Sequence, residues 1–421
     1  MSAAKHFPTC SIAALAALAL AFPAAAAADP PSWTPMAGVD PRTPPLAQSG
    51  AQADALRASL KRIRLPAGFA IELFALVPDA RHLAVAPGAD LVFVGTQTGT
   101  VWAVAGAAAG APQVRAFAPG AGFANPNGVC LARDGTLFVA ERNRVSRYRA
   151  PHSWADPAQV EGSEVLARGR LIPPAEESPG HGARTCRVGP DDRLYVTLGQ
   201  PYNVPPLAKL QRFRELGMGG IVRMNLDGSG REVFATGLRN SVGQDFNPAD
   251  GTLWFTDNQT DLLGDDVPPG ELNRATRAGL DFGYPYWNGH FKVAGSSVAP
   301  DLKDLPEPAA AVFPLAEFPA HQAQLGMSFY AGTQFPPHYR GGIFVAAHGS
   351  WNRSVSTGAL VNYVPLVDAA RAGAVEVFAE GFRNVDGSYW GRPVDVAVLH
   401  DGSLLVSDDR AGALYRVTYR P

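Results

Sequence analysis

Cysteine is scarce in this sequence, with three residues among 421. Cys10 lies in an N-terminal apolar stretch, which leaves Cys130 and Cys186 for the rest of the chain. Their spacing matches no metal-binding motif, and the CxxCH motif of haem attachment is absent. The two thiols are able to pair in an oxidising compartment. Of the two outcomes we favour buried, unpaired thiols.

An excess of charge of one sign is also missing. Charged residues make up 18% of the chain, the formal net charge is −2, and no long basic run occurs. Nucleic-acid binding relies on a basic surface, so we exclude that function class. Hydrophobic residues reach 46%, which is typical of a globular protein with a substantial core.

Long apolar runs are confined to the N-terminus. Residues 1–28 combine Lys5 with an apolar stretch and small residues, which predicts a cleaved signal peptide; a retained anchor is the alternative. No other segment is long and apolar enough for stable membrane insertion, so we expect a periplasmic or secreted protein. Residues 29–61 are rich in Pro, Ala and polar residues and predict a flexible tether. Residues 62–421 form the predicted folded domain.

Helical patterns are few, and a repeated strand motif takes their place. Only residues 206–216 predict a helix, as an insertion. A turn-forming pair, usually Asp-Gly, precedes an alternating apolar run in six copies, at residues 88–96, 133–141, 190–198, 249–257, 339–347 and 400–408. Each copy follows another strand-like run, which is the signal of a hairpin.

Each repeat predicts a small antiparallel sheet that cannot bury both faces alone. Packing six such sheets in a ring gives an all-β fold, a six-bladed β-propeller. A two-sheet sandwich is the alternative architecture. Because a ring must close, we expect residues 68–75 to add an outer strand to the blade that ends near Tyr419.

Polar residues concentrate in the loops just before the repeats. The loops that enter the innermost strands of a propeller share one end of its channel. We therefore expect one mouth to gather His181, Arg239, Asn240, His321 and Arg392. The loops that follow the repeats reach the same mouth if the innermost strand is the first of each pair. Such a site suits an anionic ligand with a hard cation beside it.

Several segments resemble the soluble sugar dehydrogenases that depend on pyrroloquinoline quinone (PQQ), in their glucose/sorbosone dehydrogenase branch. They are HGARTCRVGPDDRLYVTLG, GLRNSVGQDFNPADGTLWFTDN, LDFGYPYWNG, HGSWNRS and GRPVDVAVLHDGSLLVSDD, and the resemblance extends over residues 65–419. It implies a propeller that holds PQQ and Ca²⁺ over the channel mouth and oxidises a sugar or sugar aldehyde by hydride transfer to PQQ.

The resemblance also implies residue roles. His181 would be the general base, and Arg239 would stabilise the charge that develops on the quinone oxygen. Backbone oxygens near Gln259 and Thr260 would bind Ca²⁺. The cofactor would be held by Arg239, Asn240, Asn258, His321, His348, Asn352, Arg353 and Arg392.

On the substrate side of the mouth we place Asn127 and Gln200. Glucose-oxidising relatives carry an acid where this chain has Gln200. An amide cannot stabilise an imidazolium as a charge does, so the group that orients His181 is left open.

A separate electron acceptor is implied, either a cytochrome or a membrane quinone, since no haem site is encoded. A Ca²⁺-dependent lactonase-like hydrolase is one alternative, and it requires inward acids on several blades. A non-catalytic propeller that binds a partner or glycan is another. Locally, Arg239 and Arg392 could instead form salt bridges between blades, residues 257–266 a solvated turn, and Trp351 a packing anchor.

Overall fold

The computed structural model describes residues 32–421 apart from Ala89, 107–111 and 156–157. Across these residues, six sheets of four or five strands form the blades of a β-propeller. The predicted signal peptide, residues 1–28, lies outside the described residues. Neither of the two α-helices in the described part of the chain is long and apolar enough to cross a membrane.

The blades follow the chain order. Blade 1 contains β3 (Leu83–Val85), β4 (Leu91–Val94), β5 (Val101–Ala105) and β6 (Gln113–Phe117). Blade 2 contains β7 (Gly128–Leu131), β8 (Leu137–Ala140), β9 (Val145–Arg149), β10 (Gln159–Leu166) and β1 (Thr34–Ala37). Blade 3 contains β11 (Cys186–Val188), β12 (Arg193–Leu198), β13 (Gly220–Asn225), β14 (Glu232–Thr236) and β18 (Leu280–Asp281).

The remaining blades follow the same plan. Blade 4 contains β15 (Gly243–Phe246), β16 (Leu253–Asp257), β17 (Gly270–Ala275) and β21 (Ala316–Phe318). Blade 5 contains β22 (Gln324–Phe329), β23 (Ile343–Ala347), β24 (Leu360–Val364) and β27 (Glu376–Glu380). Blade 6 contains β28 (Pro393–Val398), β29 (Leu404–Asp408), β30 (Ala413–Tyr419) and β2 (Phe69–Leu76). Two small hairpins lie outside the blades: β19 (Trp287–Asn288) with β20 (Phe291–Lys292), and β25 (Leu366–Asp368) with β26 (Arg371–Ala372).

The predicted repeats are the second strand of each blade. Their Asp-Gly turns have a local cause, because the carboxylates of Asp134, Asp250 and Asp401 each accept the backbone N–H two residues on. The glycines that follow these aspartates have positive φ, which a two-residue hairpin turn favours. The first strands β3, β7, β11, β15, β22 and β28 contact one another around the channel. The prediction of a six-bladed ring is confirmed.

Ring closure is confirmed as well. Strand β2 pairs antiparallel with β30, from Phe69 opposite Tyr419 to Leu76 opposite Ala413. The two ends of the propeller sequence are therefore joined in one blade by backbone hydrogen bonds. The predicted helix in residues 206–216 is present as a 3-10 turn at Leu207–Lys209 followed by α2 (Leu210–Leu216).

The structure corrects the tether predicted over residues 29–61. Strand β1 pairs with β10 in blade 2, and α1 (Ala51–Leu60) is a helix whose Ala53, Leu56 and Leu60 are buried. These three side chains share one helix face and join the core cluster of blades 5 and 6. From Thr34 onward this segment is thus part of the folded body.

The preference for unpaired cysteines is wrong. Cys130 and Cys186 form a disulfide that joins β7 to β11, the innermost strands of neighbouring blades. The ring geometry explains the pairing, because it places the inner strands of successive repeats side by side. The bond covalently links blades 2 and 3 close to the loop that carries His181.

Candidate active site

The loops before the first strands and after the second strands meet at one end of the channel. The backbone N–H of Asn258 donates to the carbonyl of Asn240 at 3.2 Å, and that of His348 donates to Ala323 at 2.9 Å. The N–H of Gln200 donates to the carbonyl of Arg239 at 3.2 Å. These contacts join both kinds of loop across blades 3, 4 and 5, as the predicted mouth requires.

His181 has a defined ring orientation. Its Nδ1 lies 2.6 Å from the carbonyl oxygen of Gln200. A carbonyl only accepts, so Nδ1 carries the proton and Nε2 keeps its lone pair. Gln200 therefore orients the imidazole through its backbone, which answers the question that the missing acid raised. Burial, with the nearby guanidinium of Arg239, lowers the pKa of His181 to about 4, so the ring is neutral at physiological pH.

Arg239 is buried and its guanidinium is held from two sides. Its Nη2 donates to Asp261 at 2.7 Å and to Oδ1 of Asn203 at 2.9 Å, and Nε donates to the carbonyl of Asn203 at 3.0 Å. Asp261 belongs to the loop after β16. The ion pair with Asp261 fixes the cation within the mouth, and the backbone bond from Gln200 to Arg239 places the Arg239 loop beside the residue that orients His181.

Gly199 marks the closest approach of the base to the Arg239–Asn240 loop. A Cβ atom at this glycine would lie 2.4 Å from Oδ1 of Asn240, 2.7 Å from the carbonyl oxygen of His181 and 2.9 Å from its Cβ. Only a residue without a side chain fits there. His181 and Asn240 therefore face the same small volume, and Oδ1 of Asn240 is buried without a partner within the described residues.

Residues 257–260 of the predicted cation loop are buried and bonded, whereas residues 261–266 are half-buried or exposed, as in a solvated turn. Asn258 donates from its side chain to the carbonyls of Asn240 and Gln324, each at 3.0 Å, and so ties the loop to blade 5. Thr260 donates from its backbone to Oδ1 of Asn288 at 2.6 Å. Oε1 of Gln259 is buried and has no hydrogen-bonding partner in the described part of the chain.

The next side of the mouth carries more unsatisfied polar atoms. His321 uses Nε2 on the carbonyl of Gly264 at 2.7 Å, while its Nδ1 is buried without a partner among the described residues. Oδ1 and Nδ2 of Asn352 and Nε of Arg353 are also buried without a hydrogen-bonding partner in the described part of the chain. Arg353 also pairs with Asp266 at 3.1 Å, which links the loop after β23 to the loop after β16.

His348 and Arg392 lie together where blades 5 and 6 meet. Nε of Arg392 donates to the carbonyl of His348 at 2.8 Å. Nε2 of His348 lies 2.8 Å from Asp409, and Asp409 is also paired with Arg81. Burial lowers the pKa of both His348 and Arg392. This side of the mouth thus holds two guanidinium groups around one carboxylate.

The two predicted substrate residues are already bonded within the protein. Asn127 is buried, accepts from Nε of Arg81 at 2.7 Å and donates to the carbonyl of Arg184 at 2.7 Å. The amide of Gln200 bonds both ways with the backbone of Tyr202. Both residues are almost fully buried, and a substrate role for their side chains stays a prediction.

Sequence reasoning missed Arg81, Arg184, Asn203 and Asp409. Arg81 comes just before the first innermost strand, the one mouth loop that the motif search passed over, and Asp409 directly follows the sixth repeat. Arg184 lies within the segment HGARTCRVGPDDRLYVTLG and Asn203 follows that segment, but the sequence assigns a role to neither. Trp351 is 70% exposed, so the alternative that it anchors the packing of its loop is wrong.

Within the described residues, no group of three or more His, Cys, Asp or Glu side chains is arranged to hold a metal ion. The lactonase alternative depends on such inward acids. Two acids lie on innermost strands, and both are bonded within the protein. Asp245 pairs with Arg187 and accepts the backbone N–H of Phe329. Asp395 accepts the backbone N–H of Leu83.

The chain is similar to known proteins in sequence and in fold. An uncharacterized protein of Borreliella burgdorferi is 36% identical over 251 residues, which cover 58% of this chain and 62% of that relative's length. Among solved structures, the calcium structure of a Trichoderma reesei enzyme of carbohydrate-active family AA12 is 19% identical, with a TM-score of 0.65 over 85% of this chain and 97% of that one.

Two further structures share the fold. The holo form of the pyranose dehydrogenase PQQ domain from Coprinopsis cinerea is 18% identical, with a TM-score of 0.66 over 85% of this chain and 97% of that one. The soluble aldose sugar dehydrogenase of Escherichia coli, in its apo form, is 16% identical, with a TM-score of 0.53 over 84% and 100%. Residues 139–416 match the model of the glucose/sorbosone dehydrogenase family. This match spans well over half of the chain, with blades 3 to 5, most of blade 6 and part of blade 2, so the chain belongs to the glucose/sorbosone dehydrogenase family.

Proposed function

We propose that this protein is an exported PQQ-dependent dehydrogenase that oxidises a sugar or sugar aldehyde, of the glucose or sorbosone kind, with His181 as the general base. One observation carries the proposal. A neutral imidazole, oriented by a backbone carbonyl, shares a mouth with buried guanidinium groups and with polar atoms that have no partner in the protein.

The unpartnered atoms fit a flat, polar, anionic cofactor. Buried donors and acceptors without partners are costly, and their presence in a native site calls for a ligand or water that completes them. The mouth offers such atoms on Asn240, Gln259, His321, Asn352 and Arg353. These residues would hold PQQ together with Arg239, Asn258, His348 and Arg392, and backbone oxygens at Gln259 and Thr260 would hold Ca²⁺.

When bound, PQQ supplies a hydride acceptor and Ca²⁺ supplies a Lewis acid. The chain's own contribution begins with His181, whose free Nε2 takes the proton of the substrate hydroxyl. Nδ1 stays on the carbonyl of Gln200, which keeps the ring in place as it becomes charged. Because the pKa of the ring is lowered to about 4, the base is unprotonated at neutral pH.

Arg239 contributes a fixed positive charge. Asp261 and Asn203 hold its guanidinium, so the cation needs no reorganisation when negative charge develops nearby. Its proximity to His181 also disfavours the imidazolium before substrate binds, which keeps the base ready. In the same hydride transfer, His181 accepts the proton and Arg239 stabilises the negative charge.

Export and electron transfer belong to the same proposal. The Cys130–Cys186 disulfide supports an oxidising compartment, such as the periplasm. Electrons must leave the reduced cofactor, and we expect a cytochrome or a quinone to accept them. Two similar structures support the choice of cofactors: the AA12 structure is a calcium structure, and the pyranose dehydrogenase structure is of a PQQ domain.

The test is reconstitution. Purified protein is titrated with PQQ and Ca²⁺, and dye reduction is followed with a panel of aldoses and sorbosone. His181→Ala should abolish turnover and retain PQQ binding. His152→Ala is the matched control, because His152 is exposed in the loop between β9 and β10, on the far side of blade 2 from the mouth.

Three results would overturn the proposal. Failure to bind PQQ in the presence of Ca²⁺ would show that PQQ is not the cofactor. Hydrolysis of a lactone without PQQ would favour the lactonase alternative. Glycan binding with no turnover of any sugar would favour a binding propeller.

A further inference from the structure

Arg184 is a buried cation without an anionic partner. It is 2% exposed, and no carboxylate lies within salt-bridge distance of it in the described residues. Burial and the charge of Arg142 lower the pKa of Arg184 to about 10, in spite of Glu177. Burying an unpaired charge is unfavourable, so a guanidinium at this position needs a specific reason.

The partners of Arg184 are backbone carbonyl oxygens around the base. Nη1 donates to the carbonyl of His181 at 2.9 Å and to that of Gly199 at 3.2 Å, and Nε donates to Arg142 at 3.1 Å. Gly199 directly precedes Gln200, whose carbonyl holds Nδ1 of His181. The guanidinium therefore clamps together the two backbone segments between which the imidazole hydrogen bond is made.

This clamp acts on a strained residue. His181 has a φ of 49°, in the left-handed region that a non-glycine residue adopts only at a cost in free energy. Loop 178–184 keeps that conformation only while its surroundings hold it. The carbonyl of His181 is one of its few fixed points, and Arg184 provides the bond.

Two charged groups act on the base, and both are cations: Arg239 comes from the loop before β15, and Arg184 from the base's own loop. Arg142 of blade 2 and Glu177 act on Arg184 in turn. Arg184 thus adds positive charge near the ring as well as fixing its backbone.

We propose that Arg184 is the positioning residue of the base: it holds loop 178–184 against the Gly199–Gln200 segment and so keeps the imidazole oriented. This role rests on the proposed function, in which His181 takes the substrate proton. It is not itself a catalytic role, because Arg184 contacts the base only through backbone.

The experiment uses two variants that separate charge from geometry. Arg184→Lys keeps the charge and loses part of the three-carbonyl contact, whereas Arg184→Gln removes the charge. The titration of His181 is followed by NMR in the cofactor-free protein, and kcat and KM are measured across pH in the reconstituted enzyme. Arg231→Lys is the matched control, since Arg231 also donates to a backbone carbonyl, that of Leu216, on the outer part of blade 3.

We expect the titration of His181 to move up in Arg184→Gln and to stay near its original value in Arg184→Lys. Both variants should lower kcat about tenfold or more with little change in KM, because orientation of the base is lost. Arg231→Lys should lower stability without either effect.

An unchanged His181 titration in Arg184→Gln, or unchanged kcat in both variants with stability lowered, would show a merely structural arginine and overturn the inference. The NMR readout needs no cofactor and no turnover. Absence of PQQ activity in the unmodified protein would therefore refute the proposed function and leave the titration result to be judged separately.

Discussion

Gly199→Ala is the sharpest test of how the base and the Arg239–Asn240 loop are arranged. The new methyl group would lie 2.4 Å from Oδ1 of Asn240 and 2.7 Å from the carbonyl oxygen of His181. Ordinary contacts of this kind begin at 3.4 Å, so the Asn240 oxygen must move by about 1 Å and the His181 carbonyl oxygen by about 0.7 Å. The His181 carbonyl is bonded to Arg184, and Asn240 is fixed by its backbone bond to Asp257.

The expected magnitude follows from that displacement. Overpacking of a buried site costs about 1–3 kcal/mol, which should appear as a lower free energy of unfolding in urea. A shift of about 1 Å at the base should lower kcat/KM about 100-fold. Steady-state dye reduction by the reconstituted enzyme measures the second effect, and circular dichroism during urea unfolding measures the first.

Gly120→Ala provides the control. Gly120 also lacks positive φ, and a Cβ atom there would meet no atom within 4 Å. Its free energy of unfolding and kcat/KM should stay at the original values. If Gly199→Ala keeps kcat/KM within twofold of the unmodified enzyme, the base and the Asn240 loop do not share the volume on which the mechanism depends.

Three further predictions test other parts of the structure. Replacing both Cys130 and Cys186 by Ala should lower the free energy of unfolding by up to about 4 kcal/mol, from the chain entropy of a loop with a separation of 56 residues, as measured by urea unfolding. Asn352→Ala should leave the cofactor-free protein as stable or more stable, since both polar atoms of Asn352 lack partners in the described residues, while fluorescence titration shows about tenfold weaker PQQ binding. Burial raises the pKa of Asp395 to about 7, above its unfolded value, so its contribution to stability is lost as pH rises through 7. Asp395→Asn should therefore unfold at higher urea than the unmodified protein at pH 8, with a smaller difference at pH 5.

The repeats made the architecture predictable. Asp-Gly turns and alternating apolar residues are local signals, and each recurs where the structure has the second strand of a blade. Ring closure followed from counting strands, since a blade that ends at Tyr419 lacks an outer strand and residues 68–75 supply one. The same periodic reasoning brought His181, Arg239 and His348 to one mouth.

Two errors came from reading composition where periodicity was informative. Ala53, Leu56 and Leu60 lie on one face of a helix, yet the surrounding Ala and polar residues suggested a tether. Cys130 and Cys186 occupy innermost strands of successive repeats. Once the ring is accepted, such strands are neighbours, and the spacing of the cysteines then predicts a disulfide rather than two thiols.

The contacts that hold the site residues in place could not be predicted from the sequence, for a different reason. A motif search assigns meaning to side chains, but His181 is oriented by the carbonyl of Gln200, and Arg184 acts on the carbonyls of His181 and Gly199. Every residue carries the same backbone groups, so no residue type signals these contacts. An amide at position 200 looks like the loss of a catalytic partner, although the backbone atom that replaces the missing acid is present whatever residue stands there. Gln200→Ala tests this interpretation, because the backbone carbonyl persists in the variant and the orientation of His181 should persist with it.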